Sequence, residues 1–180
     1  MAKTFYYFGY GSNLFKQRLH LASPSAVFVS PAKLENYKLR FGKTSKRWEG
    51  AVATVIETPG DHVWGAVWKI DQKHRQTLDE QEEVLSGWYR PIEVDVTAAK
   101  DGSTVKCISY QLTTLYGPLD SPDAPPPDKP SPHYKDVIVR GAAESALPKD
   151  YIEKLKSIKD NGFCGTIDLY DLVVKGQTGS

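Results

Sequence analysis

Cysteine is nearly missing from this chain. Its 180 residues include two, Cys107 and Cys164. They form no CxxC pair and no framework, which excludes a disulfide-stapled scaffold and fits a reducing, cytoplasmic compartment. Histidine is also sparse. His20, His62, His74 and His133 are scattered without metal-ligand spacing, so neither a metal nor a cofactor is expected. No apolar run approaches the length of a transmembrane helix. The opening Met1-Ala2-Lys3-Thr4-Phe5 passes straight into a strand-like run, and no signal peptide is read there. Neither sign of charge dominates: the formal net charge is +1, too little to draw in nucleic acid or a membrane. A hydrophobic fraction of 40% and a charged fraction of 25% are ordinary for a globular chain, and the length suits one domain over residues 1–180.

Strand signals come in clusters. Phe5 to Gly9 reads as a short buried strand that breaks at Tyr10-Gly11-Ser12-Asn13. A helix is expected next, with apolar Leu14, Phe15, Leu19 and Leu21, and Ser12 or Asn13 as its cap. Ala26 to Val29 and Leu34 to Phe41 read as two strands. Ala51 to Ile56 and Val63 to Ile70 flank the turn residues Thr58-Pro59-Gly60-Asp61, which predicts a hairpin. Asp71 is a plausible cap for a helix running to about Glu83. Ile92, Val94 and Val96 alternate, as do Ile108, Tyr110 and Leu112, and each run predicts a strand with one buried face. Residues 117–132 read as a proline-rich loop within the domain. Pro148 opens a further helix with Tyr151, Leu155 and Ile158 on one face, and Ile167 to Lys175 is a last helix stopped by Gly176. Clustered strands favour α+β with a mixed, barrel-like sheet and flanking helices over a doubly wound fold.

Several familiar motifs fail on single residues. Gly9-Tyr10-Gly11 lies between a strand and a helix, but a dinucleotide fingerprint needs a third glycine where Leu14 stands. Gly42-Lys43-Thr44 resembles the end of a phosphate-binding loop, whose opening glycine would fall on Tyr37. A serine nucleophile elbow at Ser12 needs glycines where the chain has Tyr10 and Leu14. Pro127 and Pro130 have PxxP spacing, which reads more simply as a stiff surface loop than as a docking peptide.

Two elements survive. Around Gly11 the backbone can turn tightly and approach a ligand, and the amides that follow favour an anion or a developing oxyanion. Taken alone, this is equally the signature of an ordinary strand-to-helix turn. In Leu78-Asp79-Glu80-Gln81-Glu82-Glu83-Val84-Leu85, a spacing of about 100° per residue puts Leu78, Glu82 and Leu85 on one stripe. Glu82 would then be the acid that faces the core, where burial makes a carboxylate a better base. A solvated acidic helix with a frayed end is the competing reading. Together, a glycine turn and one inward acid suit intramolecular acyl transfer, in which the substrate's own amine is the nucleophile.

The run Phe8-Gly9-Tyr10-Gly11-Ser12-Asn13-Leu14, followed by Leu78-Asp79-Glu80-Gln81-Glu82, resembles the animal-type γ-glutamylcyclotransferase family. Pro59-Gly60-Asp61 with Val63-Trp64-Gly65, and Ser131-Pro132-His133-Tyr134-Lys135, match in the same order, so the likeness runs from about Phe5 to Gly176. The resemblance implies release of 5-oxoproline and a free amino acid from a γ-glutamyl amino acid, on a compact barrel-like fold that is often a homodimer. It carries the catalytic glutamate onto Glu82 and the substrate-binding run onto Tyr7, Phe8, Gly9, Tyr10, Gly11 and Ser12, with Asn13 beside it. It carries a binding tyrosine onto Tyr134. Glu83 departs from the pattern, since close relatives carry a small residue there. The loop before Tyr134 is longer and richer in proline than the pattern expects. A cyclotransferase for glutathione or for γ-glutamylamines remains an alternative within the same chemistry. A non-catalytic binding protein on this fold is the alternative from another class.

Overall fold

The computed structural model describes residues 2–176. Five strands close into a barrel in the order β1-β3-β2-β4-β5: β1 Thr4–Gly9, β2 Val27–Ser45, β3 Gly50–Asp71, β4 Tyr89–Ala98 and β5 Thr104–Leu112. The sheet is mixed. β1 runs parallel to β5 at Tyr7 and Ile108, and the other pairings are antiparallel. The flanking helices are α1 Lys16–Ala22, α2 Arg75–Gln81, α3 Pro132–Glu144, α4 Lys149–Lys156 and α5 Asp168–Tyr170, the last continuing as a π turn over Asp171–Lys175.

β2 and β3 are far longer than their sequence signals. Ala26 to Phe41 is not two strands but most of one. The turn residues Thr58 to Asp61 do not reverse the chain either. Both halves of β3 pair with β2: Gly50 to Glu57 with Ser45 to Tyr37, and His62 to Lys69 with Glu35 to Val27. Residues 58–61 are instead the irregularity where both strands bend. There Gly60 takes φ +88° opposite Asn36 at φ +65°, and the Gly60 amide donates to Asn36 Oδ1 at 3.1 Å. Local turn chemistry was correctly legible, but the register with a partner strand decided that it makes a bulge.

One helix was missed altogether. Ser131 caps α3, accepting from the Tyr134 amide at 3.1 Å, with Pro132 in the first turn. Tyr134, Val137, Ile138, Gly141 and Ala142 form its buried face. Cap, proline and the i, i+3, i+4, i+7 spacing were all present in the sequence. The loop before it accordingly ends at Ser131. It lies against β2, where the Lys43 amide donates to Leu115 O at 2.7 Å and the Thr44 amide to Asp120 Oδ2 at 3.0 Å.

Phe8, Leu14, Leu19, Val67, Ile70, Leu78 and Ile138 have no solvent exposure or nearly none, and they join barrel and helices into one core. Burying each such side chain contributes roughly 1.5–3 kcal/mol before the entropy of ordering is subtracted. Leu21, one of the apolar residues read in α1, is 48% exposed. Among the described residues no helix is long and apolar enough to cross a membrane.

Candidate active site

Glu82 reaches the interior by a different route from the expected helical stripe. Leu78 is fully buried and anchors α2, but Leu85 is fully exposed. The helix ends at Glu82 because the chain enters a Schellman turn. The Val84 amide donates to Asp79 O at 3.1 Å, the Glu83 amide to Glu80 O at 3.0 Å, and Glu83 takes φ +51°. Leu85 therefore lies beyond the helix, and its place on a helical wheel means nothing. Glu82 points inward as the last turn of α2, one turn after Leu78, with its backbone amide on Leu78 O at 3.1 Å. The left-handed conformation at Glu83 explains why a small residue suits that position: glycine adopts it without steric cost.

The strand-to-helix turn also differs from its reading. Ser12–Leu14 is a short 3₁₀ turn, Phe15 is extended, and α1 begins only at Lys16, so neither Ser12 nor Asn13 caps an α-helix. A helix dipole contributes little here. What the turn offers is the amides of Gly11, Ser12 and Asn13, which donate to no protein acceptor among the described residues. Helix α3 holds the turn in place. Its Gly141 packs so closely that a Cβ would lie 2.5 Å from Leu14 C and Phe15 N, and the Ser145 hydroxyl donates to Leu14 O at 3.1 Å.

Glu82 and this turn face one another across a cleft. Its walls include Tyr7, Tyr10, Gly11, Ser12, Asn13 and Tyr134, all singled out in the sequence. Phe8 and Gly9 do not line it. Phe8 is fully buried with its ring beside Tyr10, and Gly9 pairs with Ala66 in the sheet. The alternation of a strand turns Phe8 to the face opposite Tyr7, and Gly9 has no side chain to offer, so a contiguous binding run was too generous.

Asn13 is the hub of the cleft. It is 4% exposed, and its Nδ2 donates to Tyr7 Oη at 2.9 Å and to Glu82 Oε1 at 3.0 Å. Gln81 Nε2 donates to Asn13 Oδ1 at 3.0 Å and to Glu82 Oε1 at 3.3 Å. Burial pushes the Glu82 carboxyl above the usual carboxylate range. The nearby Arg18 guanidinium and the hydrogen bonds from Gln81 and Asn13 work against that rise without cancelling it.

Five tyrosines surround the carboxylate, and burial keeps all of their phenols neutral. Tyr10 donates its hydroxyl to Tyr110 O, Tyr110 to Asp79, and Tyr89 to Ala53 O at 2.8 Å. Tyr7 and Tyr134 only accept, from Asn13 Nδ2 and from the Ala53 amide at 2.9 Å, and among the described residues neither donates to the protein. Their hydroxyl hydrogens are left for a ligand. Tyr89, Tyr110, Ala53 and Gln81 were not identified from the sequence. The first three come from β3, β4 and β5, and closure of the barrel alone brings them to Glu82. Among the described residues no group of three or more His, Cys, Asp or Glu could hold a metal ion.

The AIG2-like family model matches residues 62–155. The γ-glutamylcyclotransferase of Bos taurus is 45% identical over 97% of this chain and 90% of its own length. The Homo sapiens γ-glutamylcyclotransferase is 44% identical over 98% of this chain and 91% of its own. This chain belongs to the γ-glutamylcyclotransferase family. A solved γ-glutamyl cyclotransferase structure superimposes with a TM-score of 0.85 at 42% identity, covering 97% of this chain and all of that one. The expected mixed, barrel-like α+β fold is the observed one.

Proposed function

We propose that this enzyme cyclises γ-glutamyl amino acids to 5-oxoproline and a free amino acid, with Glu82 as its general acid and base. One observation carries the reading: a half-buried carboxylate, steered by Asn13 and Gln81, faces a turn whose amides lack protein partners among the described residues. The glutamyl moiety lies between them. Glu82 takes a proton from the α-ammonium, and the freed amine attacks the γ-carbonyl carbon. The new bond closes a five-membered ring, and the bond from that carbon to the leaving nitrogen breaks. Two protons leave the α-nitrogen in all. Both end on the departing amine through Glu82, which returns to its starting state. A carboxyl held above its ordinary range is a better base for an ammonium than a solvated one.

The amides of Gly11 and Ser12 stabilise the oxyanion or hold the glutamyl carboxylate, and the Tyr7 and Tyr134 hydroxyls donate to the substrate. Holding amine and carbonyl in one geometry supplies roughly 7–11 kcal/mol of the barrier reduction, and the positioned base contributes roughly two to four powers of ten in rate. The chemistry needs no added metal or cofactor. We take the chain as one domain working in a reducing compartment, consistent with its two free thiols, as a homodimer in keeping with the family resemblance. Light scattering on the purified protein tests the dimer. The activity is tested by incubating the protein with γ-glutamyl-alanine, before and after chelator and dialysis. Undiminished release of 5-oxoproline is expected, and a loss restored by one metal would overturn the mechanism.

A further inference from the structure

Arg18, on α1, is a buried cation that Glu82 attracts from beyond ion-pair range. It is 6% exposed, its Nε is buried without a hydrogen-bond partner, and no carboxylate lies within ion-pair range of it among the described residues. Its guanidinium sits 5.9 Å from the centre of the Trp48 ring, and a second guanidinium, Arg47, lies near enough to repel it. Arg47 likewise has no ion-pair partner among the described residues. Both line a chamber that shares Ser12, Glu82 and Tyr134 with the glutamyl cleft. Burying a guanidinium is costly unless an anion accompanies it, and two together raise that cost.

We propose that this chamber receives the leaving amino acid and that Arg18, assisted by Arg47, binds its α-carboxylate. The inference rests on the cyclisation reading above. The two cavities share Ser12, Glu82 and Tyr134, so the scissile bond lies at their junction, and the basic side chains line only the second cavity. In a γ-glutamyl dipeptide the anion on that side is the carboxylate one carbon from the scissile nitrogen. The planar fork of arginine matches it with paired hydrogen bonds. A γ-glutamylamine has no such group. Glutathione has its carboxylate one residue further on, with an amide at the near position. Arg18 and Arg47 are thus specificity determinants that favour γ-glutamyl amino acids over both.

The test compares γ-glutamyl-alanine with γ-glutamyl-ethylamide, which lacks only the carboxylate. The wild-type kcat/KM should favour the alanine compound by at least about thirtyfold, and Arg18→Gln should reduce that ratio at least about tenfold. Arg47→Gln, at an exposed position that no core packing depends on, should reduce it several-fold. It decides the matter if Arg18→Gln does not fold. An unchanged ratio in a folded Arg18→Gln variant, or in Arg47→Gln where that variant is the one available, would overturn the proposal. So would a wild-type enzyme that does not discriminate. Calorimetric binding of both compounds to a Glu82→Gln protein separates this inference from the one beneath it. Carboxylate-dependent binding that Arg18→Gln abolishes, without turnover by the wild type, would leave the chamber standing and refute cyclisation. Turnover of both compounds with equal kcat/KM would do the reverse.

Discussion

Replacing Glu82 with glutamine should separate activity from stability in opposite directions. The amide keeps the size of the side chain, and its oxygen can still accept from Asn13 Nδ2 and Gln81 Nε2, now 3.0 and 3.3 Å from Glu82 Oε1. What disappears is the base. Turnover of γ-glutamyl-alanine should therefore fall at least about a hundredfold, or about 2.7 kcal/mol of transition-state stabilisation, while substrate binding changes much less. Stability moves the other way. Burial raises the Glu82 carboxyl above its unfolded value, so the folded chain holds that proton more tightly than the unfolded one. Its contribution to stability is full below the unfolded-chain value and is lost as pH rises through the folded one. At neutral and alkaline pH the native enzyme carries the cost of a desolvated charge, which the glutamine variant does not. Thermal melts at pH 8 should show Glu82→Gln at least as stable as the wild type, with the gap closing as the pH approaches the ordinary range of a glutamate. Near-normal turnover by the folded variant would refute the assignment and direct attention to Glu80 or Glu83. A variant clearly less stable at pH 8 would refute the electrostatic argument.

Glu83→Gly should stabilise the fold by about 0.5–1 kcal/mol in denaturant titration. A left-handed residue with a Cβ costs about 1–2 kcal/mol, and the extra freedom of glycine in the unfolded chain returns part of that gain; a loss of stability would mean that Glu83 makes a compensating contact. Tyr134→Phe should cost about 1–3 kcal/mol of stability, because the buried Ala53 amide loses its acceptor at 2.9 Å. It should also lower kcat/KM for γ-glutamyl-alanine, since a hydroxyl hydrogen that faces the cleft is removed. Unchanged stability and turnover together would show that water replaces the hydroxyl fully.

Several features were legible because they are local. The alternation Ile92, Val94, Val96 and the run Ile108, Tyr110, Leu112 fall in β4 and β5 as expected. Pro148 precedes α4, with Tyr151 and Leu155 buried on it. The glycine turn and Glu82 do meet, although 69 positions separate Asn13 from the carboxylate it touches. Yet the reasoning that put Glu82 inward was partly wrong. A helical wheel assumes that the helix continues, and the Schellman turn at Glu83 ends it before Leu85. That signal was obscured because glutamate occupies the position where glycine would have announced the stop.

By itself the sequence determined the periods of its short strands and the identity of its turn residues, since these depend on neighbours a few positions apart. Only the tertiary structure decided that Thr58 to Asp61 bends a strand rather than reversing it, because that choice belongs to the register with β2. It likewise decided which tyrosines donate to the protein and which keep a hydrogen for a ligand, and it left Arg18 buried with no carboxylate in ion-pair range among the described residues. Those outcomes depend on distances between β1, β3, β4, β5 and the helices across a closed barrel. No periodicity along one chain encodes such distances, because they are fixed only when the last strand pairs with the first.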